Sequence, residues 1–293
     1  MKKLAQSSCI FLMVVLFISA GDAAAKSASA KKTVELAYKW SSGLAFTLKT
    51  EGSTEIKTDQ MGQVITIDIN SSAESRYSTI NGTKDGITEV EQEFKAMKQS
   101  AKTPMGDNDT DFSSWMGKKV QFNLSQQGAL SNFSGFDLLP EITSAVGEKV
   151  NGELIKGSMK NQFFELPDHP VKIGEAWTVK NSLDIPYGGS TLKQEETTIY
   201  TATEKVDKDG LACLKIDFTS TANLSGELEQ GGNKLELTRE TKSTGTIWFA
   251  IEKGMYVSME VTATATGQVY VPAASVSIPQ EIKSKLTVAV LFN

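Results

Sequence analysis

The sequence predicts a mostly β protein, either an antiparallel curved sheet or two joined half-barrels, with one or two packed helices. Apolar residues alternate with polar ones over long stretches, as in Ile65-Ile67-Ile69, Val120-Phe122-Leu124 and Leu214-Ile216-Phe218. That is the period of a strand with one face buried. Turn-forming groups punctuate these stretches at Asn81-Gly82, Asp85-Gly86, Asp209-Gly210 and Gly231-Gly232-Asn233, where small or flexible residues accept unusual backbone angles. Helical spacing is confined to two short regions.

Read in order, the chain begins with Lys2 and Lys3 ahead of an apolar run from Ile10 to Ile18, which Ser19, Gly21 and Asp22 interrupt. The run is too short to span a bilayer and has the layout of a signal peptide over residues 1–25, with Ala23 and Ala25 as the small residues before cleavage. A mature start at Lys26 follows, with Lys31 as the second choice, and residues 26–32 are expected to be a flexible mature N-terminus. Cys9 lies before the apolar run rather than after it, so a lipid-modified start is not expected. Residues 33–135 form an N-terminal β-rich half. Val34, Leu36, Tyr38 and Trp40, then Leu44, Phe46 and Leu48, read as a hairpin across Ser41-Ser42-Gly43. Val90, Phe94 and Met97 recur at helical spacing behind Glu89, Glu91 and Glu93, which predicts a short helix. A polar loop over 98–112 follows it.

Residues 136–165 are expected to be a helical connector. Beyond Pro140, Ile142, Val146, Val150, Leu154 and Met159 make a stripe, and Gly147, Gly152 and Gly157 break it. Residues 166–293 form a C-terminal β-rich half that ends in a strong hairpin signal. There Ile247, Phe249 and Ile251 lead through Glu252-Lys253-Gly254 to Met255, Val257, Met259 and Val261.

Composition narrows the function. The formal charge is −5, and the longest basic clusters are the pairs Lys31-Lys32 and Lys118-Lys119, so a nucleic-acid partner is not expected. No segment after the leader approaches the roughly 20 apolar residues of a membrane helix, and an exported, soluble, periplasmic or secreted product is expected. Once Cys9 is cleaved away, Cys213 has no partner for an internal disulfide, and a packed core must carry the stability.

The stretch Leu166-Pro167-Asp168-His169-Pro170-Val171-Lys172-Ile173-Gly174-Glu175-Ala176-Trp177, with Thr244 to Gly254, resembles the LP-x-x-PV-x-x-G-x-x-W region and strand-turn-strand end of an uncharacterised bacterial secreted β-protein family. That resemblance implies no activity and no site residues. More remotely, the late hairpin is similar to those of periplasmic lipoprotein carriers and lipid-carrying proteins, which implies an incomplete barrel with helices against its concave face.

Candidate chemistry is sparse. His169, the single histidine, sits in the turn sequence Asp168-His169-Pro170, and the sequence lacks a nucleophile elbow, a phosphate loop and a dinucleotide fingerprint. Asp107, Asp109 and Asp111 start like a calcium loop, but Phe112 replaces the required glycine and Lys118 the final glutamate. Glu195 and Glu196 are strand neighbours that face opposite sides of a sheet, so they cannot work as an acid and base pair. Cys213 among Leu211, Ala212 and Leu214 reads as a buried, inert thiol. Of the tryptophans, Trp40, Trp115, Trp177 and Trp248, either core filling or a pocket lining is consistent with the pattern. No enzyme, metal or cofactor is expected.

The expected function is binding of a hydrophobic small molecule or lipid-like ligand on an apolar sheet face. Its lining candidates are Trp40, Phe46, Ile67, Phe122, Trp177, Trp248 and Met255. The alternative is a non-enzymatic envelope interaction or structural protein with a closed β core, whose partner the sequence does not name.

Overall fold

The computed structural model describes residues 33–60, 62–159, 162–187, 190–230 and 233–292. The expected signal peptide and flexible mature N-terminus lie outside these residues. The strands are β1 (Ala45–Gln60), β2 (Gln63–Lys84), β3 (Ile87–Thr103), β4 (Gly106–Asp109), β5 (Lys119–Ser125), β6 (Leu130–Ser134), β7 (Ile142–Thr143) and β8 (Lys149–Val150). After the helix α1 (Gly152–Met159) come β9 (Ala176–Tyr187), β10 (Ser190–Lys208), β11 (Leu211–Gln230), β12 (Asn233–Ala250), β13 (Met255–Val271) and β14 (Val276–Phe292). All but β7 and β8 form one 12-stranded antiparallel sheet in the order β6-β5-β3-β2-β1-β14-β13-β12-β11-β10-β9, with β4 beside β3. The sheet is open, and β1 and β14 join its earlier and later strands.

Local chemistry explains the hairpins. Asp85 and Gly86 have φ of 50° and 77°, and Asp209 and Gly210 have 54° and 78°. Two successive positive-φ residues match the twist of the flanking strands, which is why Asp-Gly is favoured there. Outward positions on the long strands are charged or hydroxyl residues, such as Thr262, Thr264 and Thr266 on β13 and Glu281, Lys283 and Lys285 on β14, all exposed. Among the described residues, no helix is long and apolar enough to cross a membrane.

The structure corrects several local expectations. The helix expected at 89–97 is strand β3, with Thr88, Val90, Gln92 and Phe94 buried in alternation. Ser75 pairs with Phe94 and Glu74 with Ala96, so Lys95 is an extra residue that brings Met97 back to the face of Phe94. A bulge thus imitates helical spacing. The polar loop expected over 98–112 is instead the end of β3 turning into β4. Asn81-Gly82 is no hairpin turn, because β2 continues through it with irregular register to Lys84.

The expected hairpin over 33–48 does not form either. Residues 34–40 bind elsewhere, Val34 to Val171, the Tyr38 N–H to the Gln126 carbonyl and the Trp40 N–H to the Thr83 hydroxyl oxygen. Among the described residues of the connector, only Gly152–Met159 is α-helix, while Ile142 pairs with Val150 in the small β7–β8 ladder around Gly147.

These two segments roof one end of the sheet. Tyr38 and Trp40 from the first, Phe136, Leu139, Val150, Met159, Phe163 and Phe164 from the second, and Leu166 just beyond it share one buried cluster with Phe46, Tyr77, Phe122, Phe218 and Phe249 of the strands. The motif stretch clamps this roof. The Leu166 N–H donates to the Gln127 carbonyl, the Gly174 N–H to the Ala202 carbonyl at 2.6 Å, and Trp177 Nε1 to the Glu165 carbonyl at 3.1 Å.

Candidate functional site

Four of the expected lining residues, Trp40, Phe46, Phe122 and Met255, are 0–2% exposed within the roofed aromatic cluster. They are therefore core. Phe163 fills the space between them, its ring 5.7 Å from Trp40 and 6.1 Å from Phe122. Trp177 lies at the rim on edge strand β9, stacked 5.4 Å from Tyr200. Trp248 is on the opposite face from Ile247 and Phe249, because strand neighbours point to opposite sides. It packs with Cys213, Ala250 and Val257, and Lys208 Nζ stands 5.1 Å over its ring. Val257 belongs to this small cluster too, since the bulge at Trp248/Phe249 sets Tyr256, not Val257, opposite Phe249. Ile67 is on the inner face but in a third cluster, with Ile56, Ala265 and Ile282. The expected site is thus dispersed over three clusters.

The strand register exposes a different arrangement. Cross-strand partners lie about 4.8 Å apart and share a face, so each register line is a row of side chains across the sheet. Ala202, Ile216, Ile247, Met259 and Val288 make one row under the roof, and Trp177, Tyr200, Phe218, Gly245 and Val261 make the next. The row beyond them changes character: Thr198, Ser220, Ser243, Ala263, Ser284 and Thr54. After it come Asn181, Glu196, Ala222, Thr241 and Ala265, and then Gln194, Leu224, Arg239, Gly267, Gln280 and Thr58. The final row is apolar again, with Leu192, Leu237, Val269 and Ile278 beside Leu228 and Leu235.

Over β10 to β13 these three rows are small or polar but for Leu224, which belongs to the leucine cluster, and they separate the aromatic core from that cluster; on β14, β1 and β2 the middle row runs on into Ile282, Ile56 and Ile67. Nine of the rows' hydroxyl, amide and charged members are buried: Thr198, Ser220, Ser243, Ser284 and Thr58 are 2–4% exposed, Gln194 and Gln280 5%, Glu196 6% and Arg239 8%, while Thr54, Asn181 and Thr241 are half-buried. Glycine makes the packing possible. A Cβ on Gly267 would stand 2.4 Å from the Thr238 carbonyl oxygen, and the bare backbone there leaves a path for Arg239 Nη2 to reach Gln280 Oε1 at 3.5 Å from two strands away. The Ser220 hydroxyl donates to Glu196 Oε1 at 3.2 Å, and Thr54 and Ser284 hydroxyls meet at 3.0 Å. Among the described residues, Gln194 Nε2 and Thr58 Oγ1 have no hydrogen-bond partner. Among the described residues, the leucine cluster is built from strands β9 to β14 alone, whereas Val146 of the connector touches the isoleucine cluster of Ile56 and Ile67.

A cleft of about 700 Å³ opens beside this layer, where β1, β2 and β3 meet β4, lined in part by Gly52, Ser71, Met97, Gln99 and Thr110. Gln99 Oε1 accepts from the Thr110 hydroxyl at 2.7 Å on its wall.

The remaining chemical groups are placed plainly. His169 is exposed, its Nδ1 3.0 Å from Asp168 and its Nε2 2.9 Å from Glu175. Hydrogen bonds to Asp168 first and Glu175 second raise its pKa above the ordinary value. Burial raises the Cys213 thiol, with Asp207 and Asp209 adding to the effect. Asp111 is lowered by hydrogen bonds from Ser113. Among the described residues, no group of three or more His, Cys, Asp or Glu side chains is placed to hold a metal.

Fold and register together define a class: one large open antiparallel sheet, roofed at one end and carrying a buried polar layer on its inner face. Residues 68–256 match a family of unknown function, DUF6263, and the chain belongs to that family. No curated protein matches the chain.

Proposed function

We propose that this is an exported, non-enzymatic envelope protein that binds a hydrophobic or lipid-like molecule on the inner face of its sheet. The site we assign is the leucine cluster, not the roofed aromatic core. The observation that carries this is the composition of that cluster. Leu192, Leu224, Leu228, Leu235, Leu237 and Val269 come from strands alone, with no described segment of the roof among them. The leucines bury one another, and an alkyl chain enters by parting the strand ends, so that it exchanges one set of apolar contacts for another.

Burying a leucine side chain against a ligand contributes roughly 1.5–3 kcal/mol, about a tenfold or greater change in affinity. Titration with the neutral fluorophore N-phenyl-1-naphthylamine is expected to saturate, and Leu228→Ser near the strand end is expected to weaken binding about tenfold while the circular dichroism stays β-type. A folded wild-type protein with no saturable binding, and no lipid retained in native mass spectrometry, would refute this reading.

A second reading has its own support. The burial of Trp40, Phe46, Phe122 and Met255 under the roof is what an interaction or structural protein with a closed core requires. Absence of binding would favour it.

A further inference from the structure

We infer that the buried polar layer receives the polar end of the bound molecule, and that this end is an uncharged carbonyl, as in an ester-linked acyl chain, held by the Gln194 amide. The inference rests on the binding site proposed above and adds the chemistry of the ligand's head. Gln194 is 5% exposed, and its Nε2 has no hydrogen-bond partner among the described residues. Leaving a buried donor unsatisfied is costly, and folded proteins rarely tolerate it without compensation. An acceptor supplied by a ligand removes that cost.

The position suits such an acceptor. Gln194 is two residues from Leu192 on the same strand and face, which is about 7 Å along the strand. A chain lying among the leucines therefore brings its first polar atoms to Gln194. Thr58 Oγ1, also buried and without a partner, ends the same register row on β1. It stands five strands from Gln194 along that row, roughly 24 Å at about 4.8 Å per strand, so it takes no part in holding the same head.

Charge selects between heads. Glu196 and Arg239 both belong to the polar layer, and their formal charges cancel. An anionic head adds an uncompensated charge to a buried layer, whereas a neutral carbonyl adds none.

The test compares two molecules that differ only in the carbonyl, monodecanoylglycerol and the matching decyl glycerol ether, as competitors of N-phenyl-1-naphthylamine. Wild-type protein is expected to prefer the ester roughly three- to tenfold, the range of one net hydrogen bond. Gln194→Met is expected to remove the preference by weakening the ester alone. Its melting temperature is expected to hold or rise, because no existing bond of Nε2 is lost. Equal displacement by ester and ether in the wild type, or a preference that survives Gln194→Met, would overturn the carbonyl assignment while leaving the binding site intact. Decanoate competing better than the ester would overturn the neutral-head argument. If the fluorophore itself does not bind, the binding site has failed and the head assignment falls with it.

Discussion

Replacing Phe163 by alanine tests whether the roofed aromatic cluster is core or a closed pocket. Phe163 is 2% exposed and its ring lies 5.5 Å from Tyr38, 5.7 Å from Trp40, 6.1 Å from Phe122, 6.2 Å from Tyr256 and 6.4 Å from Tyr77. It is where the connector, the 34–40 segment and the sheet meet. Truncating a buried phenylalanine costs about 3–5 kcal/mol through lost transfer energy and the cavity left behind. Edge-to-face partners on several sides place this residue in the upper half of that range. We expect about 4 kcal/mol. Against a total of roughly 5–15 kcal/mol the variant still folds, and with a urea slope of about 3 kcal/mol/M the midpoint falls by more than about 1 M. Phe163→Leu, which keeps most of the volume, is expected to cost less than half as much. The assay is equilibrium urea denaturation followed by tryptophan fluorescence, since Trp40 reports on the same cluster. A cost below about 1 kcal/mol, together with new binding of N-phenyl-1-naphthylamine, would refute the reasoning. The connector would then be a separable lid, and Trp40, Phe46, Phe122 and Met255 would return as a lining.

Two further outcomes follow from the inner face and from the turn that clamps the roof. In Gly245→Ala the new Cβ would stand 2.2 Å from the Glu260 carbonyl oxygen and 2.4 Å from Phe218 Cζ. The backbone atom cannot swing away, so a loss of about 2–3 kcal/mol is expected in the same denaturation assay, and a neutral result would contradict the close strand approach. His169 is exposed, and its folded pKa lies above its ordinary value because Asp168 and Glu175 hold it. The contact is therefore complete below the unfolded pKa of about 6.5 and is lost as pH rises through the folded value. Proton NMR titration is expected to place the imidazole midpoint above that of a free histidine. Glu175→Gln is expected to lower it, and an unshifted midpoint in the wild type would exclude the clasp.

Strand character was legible wherever apolar residues kept period two, as at Ile65-Ile67-Ile69 and along Leu214-Ile216-Phe218. It failed where the buried face is polar. Thr88 and Gln92 are inward positions of β3, and with them read as surface residues the remaining Val90, Phe94 and Met97 fit a helix. The same blindness hid the polar layer. On β10 the inward series runs Leu192, Gln194, Glu196, Thr198, Tyr200, Ala202 without a break in phase, yet its three middle members look like solvent-facing residues by type. Phase is the better guide than polarity here. A strand that enters and leaves an apolar frame in the same register has not turned over in between, because a one-residue slip would move every later side chain to the other face. The signal was therefore present in β10. It recurs in β14, where Gln280 and Ser284 sit in phase with Ile282 and Val288. What no single strand could supply was the pairing that lines these polar phases up, since register across strands depends on turn lengths and bulges distributed over the whole chain. Only when β10 to β14 and β1 are set side by side do the isolated polar residues become a layer, with an aromatic core on one side and leucines on the other.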